Sequence, residues 1–245
     1  MLIALKYVLI ISVLVLVDIT NNLIPVQAQI NPNLEVATDP PQPPDRGTPD
    51  DRKPAGTRGD CEATSQPFTP LLPIAESGFT GFTITGYPTF WFYVPYKTSS
   101  VSSGKFVLED EQGNLVYRLL FKLPETPGFV SVTLPNTEQA LEPNQQYRWV
   151  FMLYCESQQS SKPDPIWYEG VVQRVDSSAV ETELETASLE QRVNLYIKHE
   201  IWYDISTDLT EIRNVPNDWE KLLKAMGLKY LEPEPIVGPV EPIQN

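Results

Sequence analysis

Leu115, Tyr117, Leu119, Phe121 and Leu123 occupy every second position of one segment, and Val116, Arg118, Leu120 and Lys122 occupy the positions between. Successive side chains of an extended chain point to opposite faces, so this alternation describes a strand with one face in a core and the other toward water. Val130, Val132 and Leu134 alternate with Phe129, Ser131 and Thr133 in the same way. Seven segments read as strands: 80–85, 89–95, 105–110, 115–123, 129–134, 147–155 and 166–175, each bounded by Gly, Pro, Asn, Ser or acidic residues. "EDEQGN" (109–114) reads as a hairpin turn with Gly113 suited to positive φ. Short strands at regular spacing predict a mainly β fold, a sandwich of two sheets face to face over residues 61–176.

The stretch "GYPTFWFYVPY" (86–96) is aromatic on both faces: Phe90, Phe92 and Val94 share one, Trp91 and Tyr93 the other. We place Phe90 and Phe92 in the inter-sheet core. Trp91, Tyr93 and, on the last strand, Trp167 form a candidate binding face, unless C-terminal helices cover it; Trp and Tyr suit interfaces because one end is apolar and the other hydrogen-bonds. "LEPNQQYRW" places Leu141, Pro143 and Tyr147 just before an apolar strand. It resembles the tyrosine corner of fibronectin-III and immunoglobulin-type sandwiches, in which the Tyr hydroxyl bonds backbone a few residues upstream. The resemblance implies an immunoglobulin/fibronectin-III-like sandwich of about seven strands.

Beyond residue 177 the periodicity becomes helical, giving a C-terminal helical unit over 177–231 that packs on the sandwich. Ser188 with Gln191 forms a capping-box pattern, and Leu189, Val193, Tyr196 and Ile197 follow helical spacing. Ile201, Ile205, Leu209 and Ile212 continue the stripe after a bend. "NVPNDWEKLLKAMGL" reads as a further helix, with Pro216 and Asp218 in its first turn and Gly227 just past its end. The Pro-rich stretch 232–245 is expected to be a disordered tail.

At the other end, Lys6 precedes an apolar run from Tyr7 to Val17, and "PVQAQ" places Val26 and Ala28 at the small-residue positions of an export cleavage site. The run is short of the ~20 residues a bilayer span needs. Residues 1–28 are read as a signal peptide, with no membrane span after its cleavage, and 29–60, rich in Pro, Gly and charge, as a disordered linker. The expected destination is the periplasm, the cell surface or the extracellular space. In an exported chain the two cysteines, Cys61 and Cys155, are expected to form a disulfide. Its long loop would stabilise the fold by roughly 4–5 kcal/mol on the chain-entropy model.

The formal net charge of −14 argues against nucleic acid, whose phosphates need Lys and Arg, and against docking on anionic lipid. With His199 as the single histidine there is no H-E-x-x-H zinc site, and no P-loop, dinucleotide fingerprint or G-x-S-x-G elbow occurs. No catalytic residue, metal or cofactor is expected. A carboxylate-dependent glycoside hydrolase is a third reading, with Glu109, Asp110, Glu156, Asp164 and Glu169 as its candidates. Within an apolar strand, Glu169 is more simply a partner for Arg148 or Arg174.

"GYPTFWFYVPY", "FVLEDEQGNLVYR", "LPETPGFVSVTLP", "LEPNQQYRWVFMLYC" and "YEGVVQRV", with "RGDC" before them and "IWYDISTDLTEIR" after, together resemble an exported cyanobacterial family known as domain of unknown function 928. The resemblance covers most of residues 55–230. It implies an envelope protein with no established activity and, as a partner, an extracytoplasmic sensor of the membrane. The chain has Tyr87 where the resemblance implies a histidine before Pro88, so no role of that histidine carries over. The expected function is a binding module for a protein partner in the envelope, and the alternative is a glycan- or peptidoglycan-binding module.

Overall fold

The computed structural model describes residues 61–62, 64–75, 78–155 and 165–243. The signal-peptide and linker readings, Glu156 and Asp164 lie outside the described residues. Among these the fold is mainly β. Ten strands run in chain order: β1 (Thr69–Pro70), β2 (Phe79–Thr83), β3 (Thr89–Val94), β4 (Val101–Asp110), β5 (Leu115–Lys122), β6 (Gly128–Thr133), β7 (Gln146–Cys155), β8 (Pro165–Arg174), β9 (Ile236–Pro239) and β10 (Glu241–Pro242). They form a four-stranded sheet, β1-β3-β6-β9, and a six-stranded sheet, β10-β5-β4-β7-β8-β2. All seven strands read from the alternation are present to within a few residues at either end.

The core lies between the sheets, where the inward residues of β3 meet those of β4 and β7. Phe92 stacks on Phe151 with ring centroids 3.9 Å apart and meets Trp149 edge-on at 5.4 Å. Phe90 lies 4.8 Å from Phe106, and Phe121 5.1 Å from Phe151. Such aromatic pairs contribute beyond the area they bury. Cys61 and Cys155 are joined, tying the chain's approach to the sandwich to the end of β7. Glu142 donates its backbone N–H to the Tyr147 hydroxyl at 2.9 Å, which is the tyrosine-corner contact.

Four α-helices follow: α1 (Ser178–Thr186), α2 (Leu189–His199), α3 (Leu209–Arg213) and α4 (Pro216–Ala225). The Ser188–Gln191 capping box closes the start of α2 in both directions. Gly227 has φ of +71° just past α4, the left-handed geometry that glycine permits. α1 has no counterpart in the apolar stripes, because only Val180 of it is buried. Between α2 and α3 the predicted continuation is a tighter 3-10 segment, Trp202–Thr207.

Two expectations are corrected. The tail is not disordered through 243: β9 pairs with β6 in parallel and β10 with β5 antiparallel, and Val240 between them is buried. Phe129, Val240 and Ile243 donate backbone N–H groups across these junctions at 2.8–3.0 Å. An edge strand left open exposes unpaired backbone groups, and a Pro-rich segment is tolerated on an edge because proline's missing donor is not needed there. As the chain passes from β9 to β10 it joins the two sheets along one edge; passing from β1 to β2 it does so along the other. The second correction concerns β6. Phe129, Val130, Ser131 and Val132 are all buried, so this strand is covered on both faces rather than one.

Candidate functional site

The outer face of the four-stranded sheet carries Trp91 and Tyr93. Tyr93 is 3% exposed. Its ring lies 5.5 Å from Phe129, and Phe129 meets Trp219 of α4 edge-on at 5.6 Å. Burial, together with the negative charge of the neighbouring Glu234 carboxylate, pushes the ionisation of Tyr93 up. Tyr93 is thus beneath the C-terminal segment and is not presented to a ligand. Trp91 is half-buried against the same packing, and its indole N–H is enclosed with no partner among the described residues.

Trp167 does not join them. Ile166 and Tyr168 point into the core, so Trp167 faces outward from the six-stranded sheet, on the opposite side of the sandwich. The three candidate residues therefore do not form one binding face. Two aromatic positions on strands of different sheets look equivalent in sequence, because alternation fixes inside and outside but not which outside.

What surrounds Trp167 follows from strand register. Trp167 pairs with Met152, Met152 with Lys105, and Lys105 with Leu120. These four outward side chains make a row straight across β8, β7, β4 and β5. Leu120 is 40% exposed, the others half-buried. Arg118 and Lys122 flank Leu120 on the same face of β5, both exposed. The helical unit meets the strands chiefly at β2 and β3, leaving this row uncovered by the helices.

The carboxylate candidates among the described residues, Glu109, Asp110 and Glu169, are structurally engaged. Arg148 on β7 binds Glu109 at 3.2 Å and also binds Glu169, bridging β4 and β8 across the same outer face. Asp110 accepts the N–H groups of Gln112 and Asn114 at 2.9 and 2.8 Å and the Asn114 side-chain amide at 2.8 Å. These bonds fix the hairpin and hold the carboxyl below the usual range. His199 ends α2, with Nε2 enclosed and without a partner among the described residues, and burial lowers its proton affinity. No group of three or more His, Cys, Asp or Glu that could hold a metal occurs among the described residues.

The richest polar cluster is one that sequence reasoning missed. An open cleft of about 710 Å³ is lined by Ile84, Thr85, Arg174, Glu181, Tyr196 and Asp204, among others. Asp204 accepts from the Thr83 hydroxyl at 3.2 Å and from the Ile84 N–H at 3.1 Å. Burial nevertheless dominates and pushes its pKa up to about 6. Asp208 accepts two bonds from Arg192, at 2.6 and 2.9 Å, and one from the Tyr196 hydroxyl at 2.6 Å. Arg192 also donates to the Ala187 carbonyl at 3.1 Å, and Arg174 donates to the Leu141 carbonyl at 2.6 Å. These groups lock the 3-10 segment and α2 to β2 and to one another. The signal was available in part: Arg192 and Tyr196 are four apart, as are Asp204 and Asp208, the spacing that aligns side chains on one helical face.

A family model described as Domain of Unknown Function (DUF928) matches residues 53–236, and the chain belongs to that family. No curated protein matches the chain.

Proposed function

We propose that this member of the family of unknown function 928 is an exported, non-catalytic binding module that docks a protein partner of the cell envelope on the outer face of its six-stranded sheet. One observation carries the reading. Of the aromatic residues suggested for binding, Tyr93 is packed beneath α4 and its continuation, while Trp167 lies on a sheet face that the helices leave uncovered, in a row with Met152, Lys105 and Leu120. Aromatic and Met side chains gathered on one open face suit protein recognition. Export is supported by the leader-like residues 1–28 and is compatible with the disulfide; no described helix is long and apolar enough to cross a membrane. The family resemblance suggests an extracytoplasmic sensor as the partner.

A second reading, a glycan- or peptidoglycan-binding module, is favoured by Trp167 alone, since a partly exposed indole can stack on a sugar ring. The test is a photo-crosslinking side chain introduced at Leu120, activated in intact cells of the source organism. Covalent protein adducts from Leu120, reduced by Trp167→Ala, are expected. No adduct from Leu120 in repeated envelope preparations overturns protein docking, and Trp167-dependent retention on peptidoglycan in its place selects the second reading.

A further inference from the structure

The six-stranded sheet carries a charge pattern opposed to that of the whole chain. The chain has a formal net charge of −14, with 18 Lys and Arg against 32 Asp and Glu. Yet Lys105, Arg118 and Lys122 stand together on one face. Lys105 is directly opposite Leu120 in the β4–β5 register, and Arg118 and Lys122 are two positions to either side of Leu120 along β5. Directly opposed side chains in a sheet have Cβ atoms about 5 Å apart and next-but-one neighbours roughly 7 Å apart. Three cations therefore ring one exposed leucine.

One acid, Glu241 on β10, stands directly opposite Lys122 in the β10–β5 register and offsets part of this charge, leaving Lys105 and Arg118 as its uncompensated members. Glu109 and Glu169 are both taken up by Arg148, one strand away on β7. Lys105, Arg118 and Lys122 form no ion pair among the described residues, whereas Lys229 and Arg192 elsewhere on the chain do. Like charges held this close are mutually unfavourable, so the cluster costs free energy in the unbound protein. A bound anionic group would relieve that repulsion.

The surrounding groups narrow the class of partner. Leu120, Met152 and the edge of Val116 are aliphatic; they offer apolar contact area but no flat ring on which a sugar would stack. The rings of this face, Trp167 and Tyr154, whose hydroxyl reaches Met152 Sδ at 3.9 Å, lie on β8 and β7, at the far end of the row from Arg118 and Lys122. The pairing of the β5 edge by β10 near Phe121 and Lys122 opposes strand addition there, so a partner approaching the cations meets the face of the sheet. Resting on the docking face argued above, we propose that the partner's contacting segment is an acidic, partly apolar stretch of protein. Its carboxylates lie among Lys105, Arg118 and Lys122, and an apolar side chain sits on Leu120 and Met152. Charge complementarity of this kind raises association rates and excludes like-charged partners, which matters for a chain of net charge −14.

The experiment uses the full-length protein with the photo-crosslinker at Leu120 and adds charge reversal and peptide mapping. Lys105→Glu combined with Lys122→Glu is expected to lower adduct yield at least tenfold. Lys105→Gln with Lys122→Gln should lower it less, and raising salt from 50 to 500 mM should weaken capture by the unaltered protein. The crosslinked peptide should map to a segment rich in Asp and Glu with apolar residues between. Unchanged thermal unfolding of the variants shows that the loss is not misfolding. An adduct that survives charge reversal, or maps to a neutral or basic segment, overturns the acidic-partner inference and leaves docking on this face intact. Absence of any adduct from Leu120 overturns the docking itself. Capture abolished by alginate or by vesicles of phosphatidylglycerol, but not by a synthetic Leu-Glu repeat peptide, would also overturn the inference, assigning the cations to an acidic glycan or a lipid surface.

Discussion

The indole N–H of Trp149 donates to the hydroxyl of Tyr203 at 2.7 Å, fifty-four residues away, and that hydroxyl donates on to the Val171 carbonyl at 2.9 Å. Trp149 belongs to β7 and Tyr203 to the 3-10 segment after α2. The ring of Tyr203 also meets Phe90 of β3 at 5.2 Å. A residue of the helical unit is thus part of the inter-sheet core and touches both sheets. The helical unit does not merely lie on the sandwich; through Tyr203 it inserts into it.

Tyr203→Phe keeps the ring and removes the relay. It leaves the buried Trp149 N–H without its acceptor and removes one bond to the Val171 carbonyl. A loss of about 1–3 kcal/mol is expected, the cost of leaving buried polar groups unsatisfied. Urea unfolding followed by tryptophan fluorescence checks it.

Gly81 makes the insertion possible. A Cβ at this position would stand 2.9 Å from Trp202 Cδ1 and 3.2 Å from Tyr203 Cε2, both in packed rings. Gly81→Val should therefore displace the 3-10 segment and destabilise by roughly 1–3 kcal/mol or more, the range for overpacked cores. Increased hydrogen exchange confined to 200–213 is the expected signature; exchange unchanged there would contradict the close approach.

Asp204 gives the fold a defined pH response. Its pKa rises from the ordinary 3.8 to about 6 because burial disfavours the charge. Between these values the folded chain binds a proton that the unfolded chain has released, so this group's contribution to stability falls as pH rises from about 4 to about 6. Asp204→Asn removes the titration and keeps an acceptor for Ile84. The difference in unfolding midpoint between the unaltered protein and Asp204→Asn, measured from pH 4 to pH 7, should change across that window and be flat above it.

Tyr93 and Leu120 should separate packing from presentation. Tyr93→Ala opens a cavity beneath α4 and is expected to cost about 3–5 kcal/mol, as for core aromatics. Leu120→Ala, at an exposed position, should stay within about 0.5 kcal/mol. Chemical unfolding of the two variants side by side tests this.

The disulfide closes a loop with sequence separation 94. Cys61→Ser with Cys155→Ser should lower stability by roughly 4–5 kcal/mol if loop-closure entropy is the main term. A matching drop on reduction of the unaltered protein, seen by calorimetry, checks that the bond and not the substitution is responsible.

Much of this fold was legible in the chain. The alternation in 115–123 assigned Tyr117 and Phe121 to the core side of β5, and Ser188 with Gln191 marked the start of α2 to the residue. The site was less so. Trp91, Tyr93 and Trp167 have the same local signature, an outward aromatic between inward apolar residues. The structure puts them on opposite sides of the molecule, two of them against a helical segment.

Two residues of the chain mark the boundary. Cys61 and Cys155, with the strands between them, could be read by themselves, because side-chain periodicity, turn chemistry and cysteine parity are local or compositional. Tyr203 could not: nothing near it in sequence indicates that its hydroxyl completes Trp149. The same holds for residues 236–242, whose Pro-rich composition reads as unstructured until β5 and β6 supply open edges for it to pair with. Local pattern records which side chains avoid water. Which distant element excludes that water, and which backbone edges remain to be paired, is settled when the sheets close, since those hydrogen bonds and contacts join residues that share no local signal.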